Sequence, residues 1–296
     1  MQFLLLGLLA LAAVAEPASP PAGGFDSKRF GDYWHQGKAE LTRYSLEQAR
    51  YGEIHRGEAV LIFVTEPFLP DKQVKLERGD PSKGVPVLKL NSVKKFFTGI
   101  YPYSLMTSTF TPVDFRRSPT LKVASSSQEW CGMTFTQLNR RGPRQEGLLR
   151  SYFEEEGDRA FGFPAAWLED EIWTRIRLAP ETLPTGAISI VPGLQYARLL
   201  HKPVRPEKAR ASVRSEGAES IYSVAYDAIP RTLTIRFDGA FPYRIRSWEE
   251  TTPGGFDGSP PLTTKATATK SLMLDYWNRH GNADAHFRKE LGLTMW

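Results

Sequence analysis

Cys131, the single cysteine of the chain, has the surroundings that come closest to enzyme chemistry. Gln128 and Glu129 lie just before it, and five histidines elsewhere could supply a base, so a cell-envelope hydrolase with a thiol nucleophile is one hypothesis. Such enzymes usually place the cysteine at the start of a helix, which lowers the thiol pKa. A strand-forming segment, Met133–Leu138, follows it instead. A packed thiol on a sheet is therefore the favoured interpretation.

A second group of polar residues, His280, Asp284 and His286, lies near the end of the chain. The two histidines are six positions apart, which matches neither the helical nor the zinc-finger spacing of metal ligands. A helix entrance capped by Asn282 or Asp284 explains these residues better. Neither a phosphate-binding glycine loop nor a Gly-x-Ser-x-Gly elbow occurs. The sequence therefore indicates no metal site, no cofactor and no catalytic residue beyond the weak candidate Cys131.

Aromatic residues are concentrated in the segment from Tyr101 to Trp173. Most of them would pack in the core, but a curled sheet has more inward-facing apolar area than one helix can cover. The remainder would line a concave site for a lipid, an acyl chain or another apolar ligand. The residues predicted to contact that ligand are Tyr101, Tyr103, Trp130, Phe135, Trp167 and Trp173.

The elements that must position these aromatics are strands. β-Branched and aromatic residues alternate in Leu121–Gln128 and Met133–Leu138, which predicts two strands that meet at a Trp130-Cys131-Gly132 corner. Gly132 would allow a left-handed or closely approached backbone there. About fourteen such segments, Gln195–His201 among them, recur between turn signals such as Tyr51-Gly52. The fold class predicted is mainly β: a large curled antiparallel sheet or open half barrel around a wide apolar concavity.

Helices are few in the predicted fold. One internal helix is expected over Ala165–Arg177, where Leu168, Ile172 and Ile176 recur four residues apart on one face. It should plug or cap the sheet. Shorter terminal helices are expected within 25–37 and 282–291.

The N-terminus has the pattern of an export signal. Phe3–Val14 is a run of mostly apolar residues followed by small residues up to Ala15, which predicts a signal peptide over 1–15 with cleavage after Ala15. Residues 16–24 would be a flexible leader, and 25–296 one large β domain, in which two halves could meet near 203–206. The protein is thus expected to be periplasmic or secreted.

The charge of the chain is weakly basic, with a formal net charge of +5 and a pI near 9.2. The Lys and Arg residues are scattered, and no nucleic-acid-binding module is present, so nucleic acid is not an expected partner. Peripheral contact with an anionic membrane surface fits this charge.

Four segments, Tyr44–Glu53, Thr98–Ser104, Ser126–Gly132 and Leu274–Asp284, resemble a family of exported bacterial proteins that are often labelled septum formation inhibitor Maf. The label does not fit this chain, because Maf nucleotide pyrophosphatases are cytosolic α/β proteins with a Ser-Pro-Arg-Arg motif near the N-terminus. The family implies no chemistry. The order of strands, helix and strands is also similar to periplasmic half barrels of the LolA lipoprotein-carrier type, an architectural likeness.

Three functions remain open on the sequence. The leading one is a non-catalytic periplasmic or secreted protein whose curled sheet binds a hydrophobic ligand, such as a lipid or acyl chain, or an envelope lipoprotein. The alternatives are the hydrolase that uses Cys131 and an envelope scaffold protein.

Overall fold

The computed structural model describes residues 26–114, 119–254 and 260–295, so the predicted signal peptide and leader lie outside the described residues. The protein is mainly β, as predicted, and sixteen strands in these ranges form one large curled sheet that is not closed. The strands are β1 Ala39–Arg50, β2 Glu53–Leu69, β3 Val74–Lys75, β4 Val85–Thr98, β5 Tyr101–Pro112, β6 Lys122–Glu129, β7 Gly132–Arg141, β8 Arg144–Ser151, β9 Arg159–Pro164, β10 Trp167–Leu168, β11 Gly186–Val191, β12 Glu207–Glu216, β13 Glu219–Tyr226, β14 Thr232–Asp238, β15 Ile245–Pro253 and β16 Pro261–Leu274.

The first strand lies in the middle of the sheet. β1 pairs with β2 on one side and with β16 on the other, where Ala39 is opposite Leu274. From β2 the path continues through β4 to β9, and from β16 it runs back to β10, while β3 pairs only with β2. Neighbours are antiparallel except β10 and β11. Because only Ala165 and Ala166 separate β9 from β10, the two ends of this path lie close together.

Tight hairpins connect many of these strands, and several were predicted from turn residues. Tyr51 and Gly52 both have positive φ, 54° and 81°, which is the geometry of a two-residue turn that matches strand twist. The turn at Trp130-Cys131 also contains two residues, and both predicted strands around it are confirmed. Gly132 is needed there for space, since a Cβ would lie 2.8 Å from the ring of Tyr152.

Within the described residues, four α-helices accompany the sheet, and the predicted internal helix is confirmed. Its N-terminus lies four residues later than predicted, at Glu169, because Trp167 and Leu168 form a short parallel pairing with β11 instead. Leu168, Ile172 and Ile176 are buried, as their spacing indicated. The predicted terminal helices are also present. The helices are α1 Ser27–Trp34, α2 Glu169–Leu178, α3 Leu194–Leu199 and α4 His286–Leu291.

One predicted strand, Gln195–His201, is wrong. This segment forms α3, and every residue of Leu194–Leu199 is buried. The first backbone N–H groups of a helix have no acceptor inside the helix, and here the N–H of Leu194 donates to the Asp170 carboxylate at 2.9 Å. That partner lies 24 positions earlier in the chain, so the local sequence pattern does not reveal it.

The interior of the curled sheet is occupied by helices. Ile172 and Ile176 of α2 and Leu199 of α3 belong to the same buried cluster as Ile235 and Trp248 of the sheet. The wide apolar concavity expected from the sequence is therefore filled, and what remains between α3 and the sheet is small and lined in part by charged side chains.

Candidate binding site

In the part of the chain that the structure describes, seven large apolar side chains are exposed at one end of the sheet, and we call them the apolar rim. Their exposed fractions range from 41% to 78%, which is unusual for residues of this type. They lie in or beside four hairpin connections: β1–β2, β4–β5, β6–β7 and β8–β9. Exposed apolar side chains that form one patch indicate a binding surface, whereas scattered ones do not. The rim residues are Tyr51, Ile54, Phe97, Ile100, Trp130, Met133 and Tyr152.

The antiparallel path brings the four hairpins to the same end. β1, β4, β6 and β8 all run toward it, and each is followed in the chain by a strand that returns from it. Contacts link neighbouring tips. The ring of Tyr101 stacks on Trp130 with centroids 6.2 Å apart, and the Tyr101 hydroxyl is 3.4 Å from that of Tyr51. Tyr152 lies against Gly132 of the next hairpin.

A cluster of tyrosines and one arginine lies directly behind the rim. The hydroxyls of Tyr51 and Tyr103 are 2.8 Å apart, and Nη2 of the buried Arg50 donates to both, at 3.1 and 3.3 Å. Arg50 also lies over the Tyr51 ring, 4.1 Å from its centroid, and donates to the backbone oxygen of Leu199 in α3. Burial would raise the pKa of Tyr51, but the hydroxyls of Tyr101 and Tyr103 and the Arg50 charge lower it overall.

Two small cavities lie between this cluster and the centre of the molecule. The mouth cavity begins at Tyr51, and the inner cavity continues from it toward α2, where Asp170 and Trp173 form part of its wall. Each has a volume of about 30 Å³, space for about two water-sized groups. Both cavities are lined by Lys94, Gln195, Tyr196, Arg231 and Glu250.

A chain of buried ion pairs forms the polar wall of these cavities. Lys94 donates to Glu250 at 2.6 Å, Arg231 donates to Glu250 at 3.1 Å, and Arg231 also makes a bidentate pair with Glu169. Burial opposes ionisation of Glu250, yet Lys94 and Arg231 outweigh it and lower its pKa to about 2. Because each charge has an opposite neighbour, the network is close to neutral and tolerates its burial.

The six aromatics predicted to contact a ligand separate into two groups. Trp130 lies on the rim, with Tyr101 stacked on it and Tyr103 buried behind it. The structure does not bring the other three to this surface. Phe135 is half-buried on β7, Trp167 lies under the Arg175 guanidinium at 4.7 Å, and Trp173 packs edge-on against Trp248 at 5.1 Å.

Most rim residues were missed by sequence reasoning. Ile100 and Phe97 lie beside the glycine turn of β4–β5, and Met133 follows Gly132. A large apolar residue inside or next to a tight turn is the signal that could have identified them, since turns lie on the surface. Tyr152, in a longer loop, carries no such signal.

Cys131 is exposed at a hairpin tip, so it is not the packed thiol that the sequence favoured. Its backbone N–H donates to the Glu129 carboxylate at 2.6 Å, and the hydrogen bond and charge of Glu129 raise the pKa of the thiol. A nucleophilic cysteine needs the opposite shift. In the described part of the chain, no histidine hydrogen-bonds to Cys131.

No group of three His, Cys, Asp or Glu side chains in residues 26–114, 119–254 and 260–295 could hold a metal ion. Asp284 accepts from the backbone of Gly281 at 3.0 Å, which is the capping role expected of it. Within the same ranges no helix has the length and apolarity needed to cross a bilayer.

Comparison with known proteins adds no relative: no protein-family model matches the chain, and neither the curated proteins nor the solved structures contain a match. The apolar rim and the cavities behind it are therefore the features of the molecule that bear on its function.

Proposed function

We propose that this chain is a non-catalytic exported protein that binds a lipid through the apolar rim. The observation that carries this proposal is the grouping of seven exposed large apolar side chains on four adjacent hairpins. Export is supported by the apolar run Phe3–Val14 and the small residues up to Ala15. Covering the exposed part of each rim side chain would contribute about 1 kcal/mol, enough in sum for useful affinity.

The composition of the rim favours a lipid over other apolar partners. It combines aliphatic side chains with Trp130, Tyr51 and Tyr152, whose rings have one apolar body and one polar group and are typical of the lipid–water boundary. The sequence predicted a lipid bound inside the curled sheet. Because the interior is filled, the proposal places its acyl chain on the rim.

Charge should contribute little to this binding. Exposed Arg56 lies opposite exposed Glu47 in the β1–β2 pairing, and Nε of exposed Arg150 is 3.7 Å from the Asp158 carboxylate. The net charge of +5 adds a general attraction to anionic lipid, but the rim itself has no excess of one sign. We therefore expect binding to change little with salt.

The test compares the rim with the opposite end of the sheet. Delipidated protein is titrated with a single-chain C12 lipid below its micelle concentration, and a second arm measures flotation with zwitterionic vesicles. Trp130→Ser combined with Tyr152→Ser should weaken lipid binding about tenfold or more. The matched control is Trp277→Ser, because Trp277 is 44% exposed but follows β16 at the far end.

Two results would overturn the proposal. One is a wild-type protein that binds neither the monomeric lipid nor the vesicles. The other is a control variant that loses as much affinity as the rim variant, which would make the effect unspecific. Binding in the vesicle arm alone would support the rim but identify the bilayer as the source of the acyl chain.

A further inference from the structure

Two polar atoms on side chains that line the mouth cavity have no hydrogen-bond partner within the described structure. These are Oε1 of Gln48, an acceptor, and Nη1 of Arg231, a donor. Both side chains are at least nine-tenths buried, with 4% and 3% exposure. A buried polar atom without a partner costs about 1–3 kcal/mol, and a bound group that both donates and accepts could remove this cost for both atoms.

From this arrangement we propose that the mouth cavity is a subsite for the terminal hydroxyl of a neutral single-chain lipid, such as a long-chain alcohol or a monoacylglycerol. The inference rests on the proposed function, since the acyl chain of the same molecule would lie on the apolar rim. Tyr51 connects the two parts, because it is a rim residue and also lines the mouth cavity. A hydroxyl donates one hydrogen bond and accepts others, which matches Gln48 and Arg231.

Size agrees with this assignment. The volume of about 30 Å³ accommodates a hydroxymethyl group but not a bulky head group such as phosphocholine. The remaining wall is also suited to hydroxyls. Thr252 and Thr264 line it, and the Thr264 hydroxyl already accepts a hydrogen bond from Nε2 of Gln48 at 3.0 Å.

A carboxylate head group fits this cavity less well. Lys94 and Arg231 already pair with Glu250, which stays ionised at neutral pH because its pKa is about 2. An added carboxylate would lie beside that charge and could offer no proton to Gln48 Oε1. The pocket should therefore prefer a neutral hydroxyl to an anionic acid with the same chain.

The experiment measures dissociation constants for 1-dodecanol and for laurate at pH 8, with wild-type protein and two variants. Wild type should bind dodecanol about tenfold more tightly than laurate. Gln48→Leu should reduce this preference to about twofold or less while leaving binding of the acyl chain measurable. The matched control, Gln36→Leu, makes the same chemical change at the opposite end and should keep the full preference.

The outcomes separate this inference from the proposed function. If wild type binds dodecanol and laurate equally, the cavity holds water only and the subsite is rejected, while the rim proposal stands. A preference that survives in Gln48→Leu also rejects it. If neither lipid binds, both proposals fail. The wild-type comparison decides even where Gln48→Leu does not fold, because it needs no variant.

Discussion

Asp170 is predicted to make the protein less stable as the pH rises through neutrality. Its carboxylate accepts from the N–H of Leu194 and lines the inner cavity. Burial raises the pKa of Asp170, and the negative charges of Glu169 and Glu250 raise it further. The hydrogen bond from the Leu194 N–H and the charge of Arg231 lower it in part, so that the pKa is about 7. Asp170→Asn removes the charge and keeps an oxygen that can accept from Leu194.

The sign and size of this change in stability follow from the linkage between proton binding and folding. The ordinary pKa of the carboxyl is 3.8 and the folded value about 7, so between these values the folded state holds a proton that the unfolded chain has lost. Stability therefore falls as pH rises through this window and changes no further above it. From pH 5 to pH 7 the loss is at most about 3 kcal/mol. Asp170 is only half-buried, and water in the cavity screens it, so about 1–2 kcal/mol is expected.

Urea unfolding at pH 5 and pH 8 tests this. The stability of Asp170→Asn relative to wild type should increase by about 1–2 kcal/mol between the two pH values. Glu250→Gln serves as a contrast: the pKa of Glu250 is lowered, so its removal should destabilise the protein at both pH values without that gain. The reasoning about Asp170 is refuted if the difference between Asp170→Asn and wild type is the same at pH 5 and pH 8.

Three further predictions concern stability and reactivity. Gly57→Ala should lower the free energy of unfolding in denaturant by several kcal/mol, because the new Cβ would lie 2.4 Å from a backbone oxygen of β4. Gly132→Ala should lower it less, because the exposed ring that its Cβ would meet, that of Tyr152, can move. Trp248→Ala should lower the free energy of unfolding by about 3–5 kcal/mol, because the indole is buried, with 1% of its surface exposed. Trp130→Ala should barely change the melting temperature, because Trp130 is 67% exposed. The Cys131 thiol should react with iodoacetamide at pH 7 more slowly than a free cysteine, because its pKa is raised; faster reaction would contradict this.

The sequence was sufficient for features that depend on neighbours in the chain. Alternation predicted the strands around Cys131, and the Tyr51-Gly52 turn, with left-handed backbone at both residues, was recognisable from residue type. Four-residue spacing identified the buried face of α2. These signals are local, so they survive without knowledge of the tertiary structure.

Features that depend on distant contacts were not predictable. The first backbone N–H of α3 has its acceptor in Asp170, 24 positions earlier, and the interior is filled by two helices that pack together against the sheet. The rim requires the register of eight strands, which places Ile100 and Tyr152 at the same end although 52 positions separate them. A periodic pattern shows which side of a strand is apolar but not which hairpins become neighbours.

The sheet order has a consequence for how the chain folds. Apart from the pairing of β1 with β16, and of β2 with β4 across the two-residue β3, strand pairs join consecutive strands. Two meanders can therefore form from nearby segments, and the β1–β16 pairing, which closes a loop of most of the chain, should come last and limit the rate. A permuted chain that began at β10 and ended at β9, with α4 linked to α1, would make that pairing local, and it should fold faster with the same native sheet.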